Sequence, residues 1–184
     1  MRKSKFLLVV GIVLFMIACQ TISPKNTKFD HPAFSFIIPA GWQTMEELWG
    51  YPQEVGRDYY ALGLGELIMF TSAQSKADSP YSAYFAVATS LLASNTDLET
   101  LFHQTYDPLI PDLRAVSQAK FESGKLSGFD IAYQRPWGEP WWQFRDVWLE
   151  KNAVIYVLSF HSDPNDFERY KDDFNVILNS FSFK

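Results

Sequence analysis

The chain has 184 residues, 47% of them apolar, 17% aromatic and 20% charged, and a net charge of -5. This is the composition of one folded domain with an appendage, well supplied with large side chains for a core. The negative charge and the scattered Lys and Arg residues exclude a broad nucleic-acid-binding surface.

The N-terminus reads as an address. Met1 to Lys5 is basic, Phe6 to Ala18 is an apolar run of 13 residues, and Cys19 follows. A membrane-spanning helix needs about 20 apolar residues, so this run is short. A basic start, a short apolar core and a small residue at its end form the pattern of a secretory signal. Met16-Ile17-Ala18-Cys19 resembles a bacterial lipobox, with Ala18 and Cys19 matching and Met16 and Ile17 departing from its usual letters. The resemblance implies cleavage before Cys19 and acyl chains, palmitate among them, on that residue. Two or more such chains give stable anchoring where one is marginal. Residues 1–18 therefore read as signal peptide, 19–28 as a lipid-anchored tether and 29–184 as the folded domain, on the extracytoplasmic face of a bacterial membrane in the cell envelope. Cys19 is the one cysteine, so neither an intrachain disulfide nor a cysteine metal site is expected. A domain of this size buries roughly 70% of its unfolded surface and needs no such staple.

The elements follow in order. "FSFIIP", Phe34 to Pro39, reads as a first strand, with Trp42 packing back after the stop at Pro39 and Gly41. Thr44 and Glu47 are spaced as a capping box for a helical turn. Glu66 to Ser72 reads as a strand, Ala73 to Pro80 as a polar loop and Tyr84 to Leu91 as another strand, from its Tyr, Phe, Val and Thr content. Thr96 and Glu99 form a second capping box. The helix after it aligns Leu98, Leu101, Phe102 and Tyr106 on one face and stops at Pro108 and Pro111. An antiparallel meander comes next: Ala115 to Phe121, then "GFDIAYQR" with Phe129, Ile131 and Tyr133 on one side, then "WWQFRDVWLE", then Ala153 to Phe160. The last of these is almost continuously apolar, as in a strand covered on both faces. Asp163 as N-cap and Pro164 at the first helical position open a final helix. Its stripe is Phe167, Tyr170, Phe174, Ile177, Leu178 and Phe181, and Glu168, Arg169, Lys171, Asp172 and Asp173 are placed in water. Together these elements describe an α+β domain with helices on both faces of an antiparallel sheet.

Chemistry-bearing motifs are few. No Gly-x-Ser-x-Gly is present, and His31, His103 and His161 lie far apart in sequence, each reading as a surface or loop histidine. His161, Asp163 and Asp166 are the nearest approach to a metal set, but a helix cap explains both aspartates. No catalytic residue, metal or cofactor is expected. The remaining feature is "RPWGEPWWQF", which puts Arg135, Trp137, Trp141 and Trp142 around a tight turn. Adjacent Trp141 and Trp142 point to opposite faces of a strand. An exposed tryptophan beside an arginine suits a protein or glycan contact, against the alternative that all three rings pack inside.

"FSFIIPAGW" and "AVIYVLSFHSDPNDFERYKDDFNVILNSFSF" resemble the PsbP/Mog1-like superfamily. Phe36, Pro39, Gly41 and Trp42 match its first part, and Tyr156, Phe160, Phe167, Phe174 and Leu178 its last. The resemblance implies an α/β/α sandwich with a central antiparallel sheet flanked by helices. It also implies a non-enzymatic binding or assembly role, with the membrane reached through Cys19 and an envelope protein as partner. A glycan- or cell-wall-binding module using the tryptophan turn is the alternative. The matching residues are packing positions, so the resemblance transfers no functional site.

Overall fold

Strands make up more than half of the described residues, several of them with apolar residues at a period of two. The computed structural model describes residues 25–44, 66–74, 81–136 and 141–184. In order they form β1 (Thr27–Asp30), β2 (Phe34–Ile38), β3 (Trp42–Thr44), β4 (Glu66–Gln74), β5 (Tyr81–Leu91), α1 (Leu98–Tyr106), a 3-10 turn (Ile110–Asp112), β6 (Arg114–Ser123), β7 (Leu126–Pro136), β8 (Trp141–Lys151), β9 (Val154–Ser162), α2 (Pro164–Ser180) and β10 (Ser182–Phe183). Cys19 and Trp137, the stretch read as a signal peptide, most of the stretch read as a tether, the turn expected after Thr44 and most of the loop expected from Ala73 to Pro80 lie outside the described residues.

Seven strands form one antiparallel sheet in the order β3-β4-β5-β9-β8-β7-β6, and β1, β2 and β10 form a second, smaller one. The meander β6 to β9 is thus contiguous. Its apolar last strand sits at the centre of the large sheet, between β5 and β8. Residues 155–162 are buried throughout, because both faces of β9 are covered. α1 packs on one face, over Ile131, Tyr133, Trp148 and Val157. α2 and the small sheet cover the other, over Phe85, Val87, Leu158 and Phe160. The chain is an α+β sandwich with its antiparallel sheet between helices.

α2 forms as its letters dictate. Asp163 caps it by accepting the Asn165 backbone N–H at 2.8 Å, and Pro164 occupies the first turn. Tyr170, Phe174, Ile177 and Leu178 are buried against the sheet. Each such side chain contributes about 1.5–3 kcal/mol by leaving water. Beside this helix, Asp130 accepts from Arg145 Nε at 3.0 Å and Nη2 at 2.6 Å, and the guanidinium lies 5.3 Å from the Phe174 ring centre.

Five local expectations need correction. The α1 cap is Asp97, which accepts the Thr100 N–H at 2.7 Å, so the helix begins one residue later than a Thr96 cap implies. Phe34–Ile38 is the second strand, because Thr27 and Lys28, at the end of the stretch read as tether, already pair with Ile38 and Ile37. Thr44 lies in β3, opposite Thr71, and Ala73 and Gln74 extend β4. Asp173, placed in water by the helical pattern, accepts from Trp42 Nε1 at 2.9 Å. Trp42 is buried, 6.1 Å from Tyr170 edge to face, and its indole N–H needs a partner there. Trp42→Phe keeps most of the ring packing and removes that bond. It is expected to lower stability by about 1–2 kcal/mol in chemical denaturation, and an effect below a few tenths would show the bond to be idle.

Candidate functional site

On the face of the sheet beneath α1, alternation collects a row of polar side chains inside apolar surroundings. Phe144, Asp146 and Trp148 share that face of β8 because successive strand residues point to opposite sides. Tyr133 stands on β7, Ser159 and His161 on β9, and Tyr106 reaches in from the last turn of α1. Asp146, His161, Trp148 and Tyr106 have no solvent exposure at all.

Asp146 is the centre of the row. Its Oδ2 accepts the Tyr106 hydroxyl at 2.7 Å and the Tyr133 hydroxyl at 2.8 Å. Tyr106 Oη in turn accepts from Trp148 Nε1 at 3.1 Å. The chain indole to phenol to carboxylate is polarised in one direction, so each bond strengthens the next. Burial raises the Asp146 pKa above the usual carboxylate value, while the hydroxyls of Ser159, Tyr106 and Tyr133 and the charge of Arg135 pull it down. Burial, then the Asp146 charge, holds the Tyr106 phenol well above its usual value. These tyrosines are donors, not bases.

His161 lies one step further along the same face. Its ring stacks between Tyr84, at 5.1 Å, and Phe144, at 4.9 Å, with Trp142 tilted at 5.9 Å. Burial and the positive charge of Arg135 depress its pKa to about 3, so it is neutral at pH 7. The expectation of a loop or surface histidine is corrected. β9 runs to Ser162, and His161 falls on the same inner face as Ile155 and Val157. Asp163 turns away to cap α2. Among the described residues, no three His, Cys, Asp or Glu side chains gather as ion ligands.

The residues singled out in the tryptophan turn are divided by the strand pleat. Arg135 pairs in register with Trp142, and Pro136 with Trp141. Trp142 is half-buried on the α1 face, packed 5.6 Å from Tyr84. Trp141 is half-buried with the Arg114 guanidinium 3.8 Å from its ring centre. Arg135 lies over Phe144 at 4.9 Å and faces His161 electrostatically. The structure therefore groups Arg135 and Trp142 with the buried row and leaves Trp141 on the other side. Chemically, the row fixes α1 to the sheet. Its carboxylate and imidazole are sealed from solvent, whereas a catalytic base must reach its substrate.

This row missed attention in the sequence, although a signal existed. In "FRDVWLE" the aspartate alternates with Phe144 and Trp148 and must share their buried face.

Neither a family model nor a curated protein sequence matches the chain. Solved structures do. A cyanobacterial PsbP (CyanoP) from Synechocystis sp. PCC 6803 superposes with a TM-score of 0.54 at 11% identity, covering 90% of this chain and 97% of that one. LpqN of Mycobacterium tuberculosis, described as involved in cell envelope biogenesis, gives 0.56 at 12% identity, covering 94% and 96%. The chain has the PsbP/Mog1-like fold. Mog1 itself aligns with a TM-score of 0.51 at 10% identity, over 85% of this chain and 95% of that one. At these identities a shared PsbP/Mog1-like fold means a shared arrangement of sheet and helices, with function argued from this chain's own residues.

Proposed function

We propose that this chain is an extracytoplasmic lipoprotein whose PsbP/Mog1-like domain, held at the membrane by lipid on Cys19, binds or helps assemble another envelope component without catalysing a reaction. The observation that carries the reading is the position of the one cysteine. It closes a 13-residue apolar run behind a basic start, and only Gln20 to Asn26 separate it from β1. A tether of seven residues spans at most about 25 Å, which keeps the domain close to the bilayer. Among the described residues no helix is long and apolar enough to cross a membrane. The similarity to a structure involved in cell envelope biogenesis supports the placement. The sealed carboxylate and imidazole support a role in contact rather than chemistry.

Cys19→Ser removes the atom that carries the lipid and the residue that sets the cleavage point, so the variant is expected to lose incorporation of labelled fatty acid and to retain residues 1–18. Fatty-acid labelling of Cys19→Ser equal to that of the native chain contradicts the anchor. Photo-crosslinking from the domain surface in intact cells is expected to yield a discrete adduct with another envelope component. Absence of any adduct, together with hydrolytic turnover by the purified protein, contradicts the binding role.

A further inference from the structure

Among the described residues, β6 forms one edge of the large sheet. Ser117 to Lys120 and Glu122 are exposed along it. A strand edge offers unpaired N–H and C=O groups to any chain that can lie beside it.

Which groups point outward follows from the β6–β7 turn. Gly124, with φ of 61°, and Lys125 form a two-residue turn closed by Ser123 and Leu126. In such hairpins the closing pair exchanges both backbone bonds, and bonded pairs recur at every second residue. Ser123, Phe121, Ala119 and Ser117 thus bond to β7, while Glu122, Lys120 and Gln118 present their N–H and C=O groups outward. The other end of the strand is unsuited to pairing. A bulge lies between Arg114 and Ser117, and Ala115 there has φ of 50°. Bulges twist an edge out of line, which leaves Ser117 to Ser123 as the usable stretch.

We propose that two copies of the chain join along this edge, β6 against β6, antiparallel and with Phe121 on the two-fold axis. The register follows from charge. Outward-bonding residues must face outward-bonding residues. Centring the pair on Lys120 or Glu122 sets like charges opposite each other, and centring it on Gln118 or Ala119 brings Val116, inside the bulge, opposite Lys120 or Glu122. Centring on Phe121 sets Lys120 opposite Glu122 of the second copy, and Glu122 opposite its Lys120. Opposite charges directly across a pair are favourable and like charges are not. The pairing is isologous, so it closes as a dimer and does not propagate. It continues the sheet through a two-fold axis and leaves both helix-covered faces free.

The register has a sharp test, because it also sets Ala119 opposite Ser123 of the second copy in a non-bonded pair, where side chains approach most closely. The full chain carrying Ala119→Cys and Ser123→Cys is oxidised in isolated membranes. It is expected to form a disulfide-linked dimer at least tenfold more efficiently than either single variant. In the single variants the two new thiols are about 13 Å apart, beyond disulfide reach. These variants and the native chain share Cys19, so any linkage through it appears equally in all. Lys120→Glu in the double-cysteine chain is expected to reduce the dimer several-fold, and adding Glu122→Lys to restore it. No dimer, equal cross-linking by the single variants, failure of the charge swap to restore it, or linkage to a different protein each overturns the proposal.

Discussion

Trp148→Ala is expected to destabilise the domain by about 3–5 kcal/mol, the range for removing a large aromatic side chain from a packed core. Trp148 is fully buried. Its ring meets Phe102 edge to face at 5.8 Å and Tyr106 at 5.7 Å, so it carries much of the contact between α1 and the sheet. Its Nε1 also donates to Tyr106 Oη, whose hydroxyl is committed to Asp146. Alanine therefore opens a cavity and weakens a buried polar chain in one step. Trp148→Phe separates the two effects. It refills most of the volume and loses only the N–H, at a cost of about 1–2 kcal/mol. Urea denaturation of the three proteins checks the ranking, and hydrogen exchange in α1 should rise most in the alanine variant. Equal losses in both variants would show that the hydrogen bond, not the packing, dominates.

The second large effect is with pH. In the unfolded chain His161 takes a proton near pH 6.5, while in the folded protein its pKa is about 3, so acid favours the unfolded state. The stability that this depressed pKa confers is fully present above pH 6.5 and is lost as pH falls toward 3. The loss amounts to about 2 kcal/mol by pH 5. Asp146 acts with the opposite sign. Its folded pKa is raised, so protonation favours the folded state and returns some stability in more acid solution. The His161 loss sets in near pH 6.5 and steepens toward pH 5, and the raised Asp146 pKa offsets part of it where the two titrations overlap. His161→Phe, which suits a stack between Tyr84 and Phe144, is expected to remove that part of the slope while leaving the protein folded at pH 7. Denaturation midpoints of the two proteins from pH 7.5 to 5 decide it. A slope unchanged by the substitution assigns the acid sensitivity elsewhere.

The legible parts of this chain were those governed by local rules. α2 shows its cap, its proline and its stripe within 19 residues, from Asp163 to Phe181, and folds as they require. β7 and β9 show their alternation and their continuous apolar run. What local rules cannot supply is partnership across the sequence. β10 exists because Phe183 pairs with Phe34, and nothing in the two residues Ser182 and Phe183 foretells a strand. β1 has the same character: "TKFD" is polar and short, and becomes a strand only beside β2. At α1, Thr96 and Asp97 are both good caps, and the docking of Leu98, Phe102 and Tyr106 selects the second.

The candidate site was half legible for the same reason. Arg135 and Trp142 face each other across β7 and β8, as do Pro136 and Trp141. The pleat sends the two tryptophans to different surroundings, and the buried row draws Trp142 and Arg135 inward. His161 looked like a loop residue because a helix cap follows two positions later. The carboxylate in "FRDVWLE" shows its meaning only when Tyr106, 40 residues away, closes on it.

The state of Cys19 decides whether the domain is lipid-anchored. Mass spectrometry of the N-terminal peptide of the mature protein, extracted from membranes, reads it in one measurement. The expected peptide begins at Cys19, carries acyl chains and lacks residues 1–18. A peptide that retains Met1 to Ala18, or that begins elsewhere with an unmodified thiol at Cys19, would contradict it.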